Sequence, residues 1–364
     1  MLAGGGTGGH LFPALAIADE LKKRRAEVEI VFVGTKKGLE ARLVPERGYK
    51  LLLLEVKGLK RSLDLQNLLF PYYVMKALKQ AKDYMKSEKP DVVVGTGGYV
   101  SGPPLKVAGK MGISVLIQEQ NSYPGITTRL LAKQAQRVFL AYEESKKYFK
   151  RQDNLEVTGN PVRSDFTRID KVQARQILEI DERKKVILIL GGSQGAKAIN
   201  DSLLHSLSHL EGNDWLWILW QTGPKDFERV KKALEIKRLP ITALPFIQEM
   251  AAAYAASDLV ISRAGALTLA EITTCGKPAI LIPYPFAAAD HQRHNAEVLV
   301  KAGAAEMILE NDLPQVNLLQ RMLELVKDEQ RLESMSVQSK KLGRPEALDR
   351  IVIEILKYLD KNKN

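Results

Sequence analysis

The sequence contains a single cysteine, Cys275, and this scarcity limits what the protein can be. One thiol forms neither a disulfide framework nor a metal site built from several cysteines, which fits a reducing compartment. Cys275 is either a reactive thiol or an inert residue at a helix end, and we favour the second interpretation. The chain also lacks any apolar run of about 18 residues and any leader ahead of its first loop, so we expect a cytosolic chain without a membrane span.

Histidines with the spacing of metal ligands are scarce too. His205 and His209 are four residues apart, but no third ligand accompanies them, and we interpret them as exposed helix residues. No other cluster of His, Asp or Glu has the spacing of a metal site. We therefore expect neither a metal nor another cofactor.

Almost all of the net positive charge lies in one half of the chain. The net charge is +11; residues 1–158 hold 26 Lys and Arg against 16 Asp and Glu, whereas residues 159–364 hold 28 against 27. No helix-turn-helix, zinc finger, RNP-like aromatic pair or basic tail is present, so we expect no nucleic-acid partner. An anionic membrane surface is the better candidate for the basic half.

A pattern of short β-branched run, glycine turn and helix repeats along the 364 residues. Strands are predicted at 28–33, 91–94, 114–117, 137–140, 155–158, 186–190, 215–220, 258–262 and 279–282. This pattern predicts an α/β protein with two Rossmann-like, doubly wound domains and a cleft between them. The Gly- and Pro-containing segment 157–166 interrupts it, so we place the domains at 1–158 and 159–340, with a final helix in 341–364 that packs back on the first domain.

The first loop, MLAGGGTGGHLFPALAIADEL, predicts an anion site. Glycines allow a ligand close to the backbone amides, and the helix that follows directs its positive end to the same place. Gly4, Gly6 and Gly9 also satisfy the G-x-G-x-x-G pattern of dinucleotide-binding loops. Such a site needs an acidic residue after the second strand, where Thr35 and Lys36 stand, so a nicotinamide site is disfavoured.

Similar turns follow other predicted strands. One is Gly95 to Gly98, in DVVVGTGGYVSGPP, and two more lie in the second half, in VILILGGSQGAKAIN and DLVISRAGALTLAEI. Ser193 and the amides of Gly192 and Gly195 suit the diphosphate of a nucleotide sugar, and Arg163 can neutralise the same phosphates. The alternative for GGSQGA is a plain tight turn.

Seven motifs occur in order: GGGTGGHLFPALAIA, GTGGYVSGP, QEQNSYPG, GNPVR, GGSQGA, SRAGALTLAE and DHQRHNA. From residue 3 to about residue 350, the chain thereby resembles the MurG family, the lipid I N-acetylglucosaminyltransferases of peptidoglycan synthesis in glycosyltransferase family 28. The resemblance implies a GT-B fold, with UDP-GlcNAc bound mainly by the C-terminal domain and the lipid acceptor by the N-terminal domain.

The resemblance also implies roles for individual donor-site residues. Glu271 would hold the ribose of UDP, although a solvated helix glutamate is the plain alternative, and Ile247 would cover the uracil while neighbouring backbone groups read the base. Gln292 and Asn295 would read hydroxyls of the GlcNAc ring, helped by Asn121 of the other domain. The complete predicted donor site is Asn121, Arg163, Ser193, Ile247, Ala266, Leu267, Thr268, Glu271, Gln292 and Asn295.

On the acceptor side, the glycine turns of the first half would hold the diphosphate of lipid I. His10 is the candidate general base for the C4 hydroxyl of N-acetylmuramic acid, and a neutral ligand of the acceptor phosphate is its alternative role. The predicted acceptor site is Thr7, Gly8, Gly9, His10, Gly97, Gly98 and Tyr99.

Residues 63–86 have an amphipathic pattern. One helical stripe is apolar, with Val74, Leu78, Ala81 and Met85, and another is basic, with Lys76, Lys79, Lys82 and Lys86. Core packing explains the apolar stripe. Contact with a membrane surface explains the lysines together with the preceding apolar and aromatic residues, which are Leu65, Leu68, Leu69, Phe70, Tyr72 and Tyr73.

Members of that family begin with five or six further residues that complete a buried first strand, whereas Met1, Leu2 and Ala3 alone precede the loop here. Either the start is trimmed or the central strand is short. We expect an inverting transfer of GlcNAc from UDP-GlcNAc to lipid I by a peripheral enzyme on the cytoplasmic face of the plasma membrane, with other cell-wall synthesis proteins as further candidate partners. The alternatives are another GT-B lipid glycosyltransferase acting on diacylglycerol and a non-enzymatic, membrane-attached nucleotide-binding protein.

Overall fold

Parallel strands, each followed by a helix, organise the chain into two units. A computed structural model describes residues 1–56, 70–192, 194–235 and 239–361. Unit 1 comprises Met1–Pro161 with Glu346–Asn364, and unit 2 comprises Val162–Pro345. In both units the predicted α/β class with a Rossmann-like, doubly wound sheet is confirmed.

In its described part, unit 1 contains a seven-stranded parallel sheet of order β3-β2-β1-β4-β5-β6-β7. The strands are β1 (Leu2–Gly4), β2 (Val31–Gly34), β3 (Lys50–Leu53), β4 (Val92–Gly97), β5 (Ser114–Glu119), β6 (Arg137–Leu140) and β7 (Leu155–Val157). The helices are α1 (Gly8–Arg24), α2 (Glu40–Glu46), α3 (Phe70–Glu88), α4 (Gly98–Lys110) and α5 (Ile126–Leu131). Chain order reverses between β1 and β4, so the loops after these two strands face the same edge of the sheet.

Unit 2 repeats this arrangement with a six-stranded parallel sheet over its described residues, in the order β10-β9-β8-β11-β12-β13. The strands are β8 (Lys185–Leu190), β9 (Leu216–Gln221), β10 (Ile241–Leu244), β11 (Leu259–Ser262), β12 (Ala279–Leu281) and β13 (Ala305–Met307). The helices are α6 (Lys171–Ile177), α7 (Lys197–Ser206), α8 (Phe227–Glu235), α9 (Met250–Ala256), α10 (Ala266–Thr274), α11 (His291–Lys301), α12 (Leu318–Lys327) and α13 (Glu329–Leu342). The reversal here lies between β8 and β11.

The central strands are apolar on both faces because helices cover both sides of each sheet. In unit 2, residues 186–190 of β8 are all buried, and alternate side chains enter two core clusters on opposite faces. The last helix, α14 (Ala347–Lys361), belongs to unit 1. Its Ile351 and Ile355 pack with Leu15 of α1 in one core cluster.

The first strand is short. β1 has three residues, although it lies in the middle of its sheet between β2 and β4. A cavity of about 350 Å³ lies beside its start, lined in part by Leu2, Val92, Val94 and Ile355. This is the place at which additional residues of a first strand would pack.

Helix α3 faces the core with Ala77, Ala81 and Met85, while Val74 and Leu78 of the predicted apolar stripe are half-buried. Residues 57–69, including Leu65, Leu68 and Leu69, lie outside the described residues. No helix in the described part of the chain is both long and apolar enough to cross a bilayer.

Candidate functional site

The two glycine turns of unit 1 lie against each other at the edge where β1 and β4 end. Gly97 has φ = +100°, and a Cβ there would lie 2.7 Å from His10 Nδ1, so only glycine allows this approach. A Cβ on Gly98 would lie 2.7 Å from the carbonyl oxygen of Gly5, and one on Gly6 would lie 3.2 Å from the Tyr99 ring. The structure thus brings together residues of the predicted acceptor site that are almost ninety positions apart in sequence.

The start of α1 lies in this same place. Thr7 is the N-cap residue and is exposed, and Gly8 and Gly9 form the first turn. Amides in the first turn of a helix have no intrahelical acceptor, and the helix dipole favours negative charge there. The first turn also contains no acidic side chain that would occupy these amides.

His10 is half-buried, and its Nδ1 faces two oxygen atoms. The carbonyl oxygen of Thr96 lies at 3.1 Å and Gln120 Oε1 at 3.0 Å. The Thr96 hydroxyl in turn donates to the His10 carbonyl oxygen at 2.7 Å. The ring is therefore held by Thr96, near the end of β4, and by Gln120, just after β5, and not by its own helix alone.

Glu40 is a buried carboxylate behind the first glycine loop, and no sequence motif pointed to it. Its Oε1 accepts hydrogen bonds from the Thr35 amide at 2.9 Å and the Thr35 hydroxyl at 2.8 Å, and its Oε2 accepts from the Gly6 amide at 3.1 Å. Each such bond to a charged acceptor contributes about 1.5–3 kcal/mol. Glu40 therefore fixes the loop to the end of β2, and it occupies the amide of Gly6.

Asn121 lies just beyond β5 in a turn organised by another buried carboxylate, that of Glu119. Glu119 Oε1 accepts from the Asn121 amide at 3.1 Å and from Asn121 Nδ2 at 3.2 Å, and Oε2 accepts from the Gly125 amide at 3.1 Å. The orientation of Asn121 thus depends on Glu119.

In unit 2, the turn between β8 and α7 has a tight backbone. Gly195 has φ = +80°, and a Cβ there would lie 2.4 Å from the carbonyl oxygen of Thr222, which explains glycine at this position. Ser193 lies outside the described residues. The neighbouring Gly192 carbonyl accepts from Gln221 Nε2 at 3.1 Å, so the turn is tied to the end of β9.

Ile247 is connected to the same turn through Gln221. The Ile247 amide donates to Gln221 Oε1 at 2.9 Å, and its side chain is only 2% exposed, within a core cluster of unit 2. Its exposed neighbour is Phe246. The Ile247 amide is therefore engaged inside the fold, and the outward-facing apolar side chain of this segment is that of Phe246.

Helix α10 places Ala266, Leu267, Thr268 and Glu271 at the end of β11. Ala266 is buried, and the other three are half-buried. Glu271 Oε2 accepts from the hydroxyl of Tyr254 at 3.1 Å. Burial raises the pKa of the Glu271 carboxyl to about 7, against the Tyr254 hydrogen bond and the positive charge of Arg163, which lower it.

Arg163 is held beside the same cluster. Its guanidinium lies 5.5 Å from the centre of the Phe166 ring and 3.0 Å from Asp165, and the Phe166 ring lies 5.6 Å from that of Tyr254. The cation and the carboxylate that the sequence assigned to one ligand therefore lie on either side of an aromatic pair. The positive charge of Arg163 lies close enough to lower the pKa of the Glu271 carboxyl.

The segment before α11 has a strained backbone. Ala289 and Asp290 have φ angles of 54° and 55°, which residues other than glycine rarely adopt. Gln292 Oε1 accepts from the Tyr284 amide at 3.0 Å, while Asn295 is fully buried. Arg263 lies 5.5 Å from the centre of the Tyr284 ring. Gln292 is thus fixed to the loop that follows β12.

The surroundings of Cys275, His205 and His209 indicate neither a reactive thiol nor a metal site. Burial raises the pKa of the Cys275 thiol to about 12, which disfavours the reactive thiolate. His205 and His209 are exposed and face backbone carbonyl oxygens of their own helical segment. Over the described residues, no group of three or more His, Cys, Asp or Glu side chains is arranged to hold a metal ion.

Sequence reasoning missed four residues that orient the site. They are Glu40, Gln120, Tyr254 and Gln221, and each is buried or half-buried with a polar side-chain atom on a predicted site residue or its loop. The sequence offers a signal for Gln120, which lies within the QEQN motif. It offers none for Glu40, because this residue lies 34 positions after Gly6, its hydrogen-bond partner.

Domain models of one enzyme family match both halves of the chain. The model of the glycosyltransferase family 28 N-terminal domain matches residues 1–140, and that of the C-terminal domain matches residues 186–351. A UDP-N-acetylglucosamine–N-acetylmuramyl-(pentapeptide) pyrophosphoryl-undecaprenol N-acetylglucosamine transferase of Acetivibrio thermocellus is 40% identical over all of this chain and 98% of its own length. The protein of the same name from Chlorobaculum tepidum is 45% identical over 95% of each chain.

Solved structures show the same relationship. A crystal structure of Acinetobacter baumannii MurG shares 34% identity over 98% of each chain, with a TM-score of 0.77. A glycosyltransferase of kitacinnamycin shares 18% identity over 96% of this chain and 97% of its own, with a TM-score of 0.69, and supports the fold alone. Together with the two parallel sheets, these likenesses confirm the predicted GT-B class.

Proposed function

This chain belongs to glycosyltransferase family 28, and from that premise we propose that it transfers N-acetylglucosamine from UDP-GlcNAc to the lipid-linked N-acetylmuramyl-pentapeptide, lipid I. The product is lipid II, the precursor of peptidoglycan. The observation that carries this function is the similarity of the whole chain, at 40–45% identity, to transferases of that name.

The donor site is proposed in unit 2, at the edge where β8 and β11 end. Glu271 accepts hydrogen bonds from the ribose hydroxyls, because its carboxylate is held by Tyr254 at the reversal of strand order, where nucleotides bind in sheets of this type. Arg163 neutralises the charge of the diphosphate, and backbone amides of the turn at Gly192 donate hydrogen bonds to it. Both groups stabilise UDP as it leaves. Gln292, on α11, reads hydroxyls of the sugar, whereas Asn295 of the same helix is fully buried and supports that helix from within.

The acceptor site is proposed in unit 1, where β1 and β4 end. The first-turn amides of α1, at Gly8 and Gly9, hold the acceptor diphosphate. The C4 hydroxyl oxygen forms a bond to the anomeric carbon as the bond from that carbon to the UDP oxygen breaks, which inverts the configuration. His10 accepts the hydroxyl proton, and the departing electron pair stays on UDP. The alternative role of His10 is to bind the acceptor diphosphate, and a variant without His10 would then have different kinetics.

Unit 1 is also proposed to bind the cytoplasmic face of the plasma membrane, where a lipid-linked acceptor is found. Lys79, Lys82 and Lys86 are exposed on α3, and Tyr72 and Met75 of the same helix are 60% and 72% exposed. Exposed aromatic and apolar side chains beside lysines suit the interface of an anionic bilayer.

A transfer assay with radiolabelled UDP-GlcNAc tests the function. The purified protein is offered lipid I or diacylglycerol in matched micelles, and labelled lipid and released UDP are both measured. We expect labelled product and stoichiometric UDP with lipid I only. Transfer to diacylglycerol would reassign the acceptor, and UDP release without labelled lipid from either acceptor would exclude a transferase.

A further inference from the structure

The amide of Gln120 has one possible orientation. Its Nε2 lies 2.7 Å from the carbonyl oxygen of Thr96 and 3.1 Å from the carbonyl oxygen of Gln118. Carbonyl oxygens only accept hydrogen bonds, so the NH2 group of Gln120 must face them. The side-chain oxygen Oε1 therefore faces the other way, towards His10.

Two further amides fix that orientation. Gln118 Nε2 donates to Asn160 Oδ1 at 3.0 Å, and Asn160 Nδ2 donates to the backbone carbonyl oxygen of Gln120 at 3.1 Å. Gln118 Oε1 is then left to accept from Gln120 Nε2. All three side chains are buried, so reversing any one of them would place oxygen against oxygen without water to compensate.

The ring of His10 contacts the last side chain of this hydrogen-bonded series of amides, that of Gln120. Its Nδ1 lies 3.0 Å from Gln120 Oε1 and 3.1 Å from the Thr96 carbonyl oxygen, and both atoms are acceptors. A nitrogen between two acceptors is stable only with a proton on it. In a neutral imidazole, one nitrogen carries the proton and the other keeps its lone pair.

We propose that Gln120 is a positioning residue that, with the Thr96 carbonyl, holds His10 as the Nδ1–H tautomer and so leaves the lone pair of Nε2 free to take the proton of the acceptor hydroxyl. This inference rests on the proposed function. When the C4 hydroxyl oxygen bonds to the anomeric carbon, its proton moves to Nε2, the bond to UDP breaks and the electron pair leaves with UDP. Gln120 Oε1 and the Thr96 carbonyl then face an imidazolium, whose positive charge both acceptors stabilise.

The tautomer can be measured without any substrate. The chain has five histidines, and long-range ¹H–¹⁵N spectra of ¹⁵N-histidine-labelled protein distinguish a protonated Nδ1 from a protonated Nε2. The His10 signals are assigned by their loss in His10→Ala. We expect the wild-type protein to show Nδ1 protonated and Nε2 unprotonated. A wild-type His10 with its proton on Nε2 would overturn the proposal, whether or not the protein transfers GlcNAc.

Variants test the contribution of Gln120. Gln120→Met keeps the side-chain length but removes the acceptor, so we expect a smaller Nδ1–H population and a kcat lower by roughly tenfold or more, with the lipid I KM within about twofold. Gln134→Met is the matched control, because Gln134 donates to the Leu105 carbonyl in the same unit and does not face His10. Unchanged His10 nitrogen shifts in Gln120→Met would overturn the role of Gln120. A loss of stability equal in both variants, with a kcat loss in Gln120→Met alone, would separate positioning from folding.

Discussion

The hydroxyl of Tyr254, a fully buried residue, donates a hydrogen bond to Glu271 Oε2 at 3.1 Å. This bond fixes one oxygen of a carboxylate whose pKa burial raises to about 7. A carboxyl with such a pKa is partly protonated near neutral pH, whereas two ribose hydroxyls are best accepted by the ionised form. Donor binding and the protonation of Glu271 should therefore be linked.

The affinity for UDP-GlcNAc should rise with pH up to about 7 and then level off, because binding favours the ionised Glu271. Glu271→Gln should weaken binding above that pH by roughly tenfold, about 1.4 kcal/mol, and should abolish the pH dependence. Calorimetry in buffers with different ionisation enthalpies measures both the affinity and the released proton. Unchanged binding by Glu271→Gln would reject Glu271 as the ribose ligand.

The same residue predicts how stability depends on pH. Between the ordinary pKa of 4.5 and about 7, the folded chain holds a proton on Glu271 that the unfolded chain has lost. The contribution of this group to the free energy of unfolding is therefore complete below the ordinary pKa and is lost as the pH rises through 7. Tyr254→Phe removes a hydrogen bond that lowers the pKa of Glu271. The pH at which the free energy of unfolding loses this contribution should therefore be higher in the variant. The same pH dependence of the free energy of unfolding in wild type and variant would show that the Tyr254 hydrogen bond does not lower the pKa of Glu271.

Replacing His10 separates its two proposed roles. If His10 is the general base, His10→Ala should lower kcat by roughly 10²–10⁴-fold and leave the lipid I KM nearly unchanged. His209→Ala is the control, since His209 is exposed and distant in sequence from both glycine turns of unit 1. A raised KM with a surviving kcat at saturating lipid I would assign His10 to the acceptor diphosphate instead.

Lysines of α3 should contribute to membrane binding. Lys76 is held 2.6 Å from Glu55, so Lys79, Lys82 and Lys86 are the better choice for substitution. Changing these three to Glu should weaken binding to phosphatidylglycerol-containing vesicles by at least roughly a hundredfold, at about 1 kcal/mol per lysine, and the wild-type binding should weaken with salt.

A control for charge alone is available in unit 2. Lys231 and Lys232 of α8 and Lys225, just before this helix, are exposed, and their change to Glu alters the net charge by the same amount. We expect this variant to bind vesicles almost as the wild type does, and both variants to bind UDP-GlcNAc normally. Sedimentation with vesicles measures the difference. Equal binding of the wild type to neutral vesicles at high salt would contradict an electrostatic contribution.

Filling the cavity beside β1 should stabilise unit 1. Placing the apolar segment Met-Lys-Ile-Val-Ile-Val ahead of Leu2 should bury aliphatic side chains within the roughly 350 Å³ next to Val92 and Ile355. A gain of about 2 kcal/mol would raise Tm by roughly 4–8 °C. A polar segment of equal length, Met-Gly-Ser-Gly-Ser-Gly, is the control in calorimetry. An equal Tm for both extended chains would mean that the cavity does not take up the added strand.

Much of the fold follows from local patterns. All nine predicted strands are present, and their ends agree within two residues apart from the start of the first and the end of 91–94, which each differ by three, because buried parallel strands need continuous β-branched runs. The short central strand expected at the start of the chain is the three-residue β1. The strands without a prediction are β3, β10 and β13. All three lie at the edges of their sheets in the described part of the chain, and β3 and β10 are never fully buried, so their sequences carry a weaker pattern.

The sequence by itself determined the two doubly wound sheets, the glycine turns and the family, because each depends on residues close together in the chain. Tertiary structure alone decided which polar groups orient the site. His10 faces Gln120 although the two residues are 110 positions apart in the sequence, and Gly6 donates to Glu40 although they are 34 positions apart. The direction of an amide or the occupation of a backbone N–H depends on every partner in a buried space, and no local pattern records those partners.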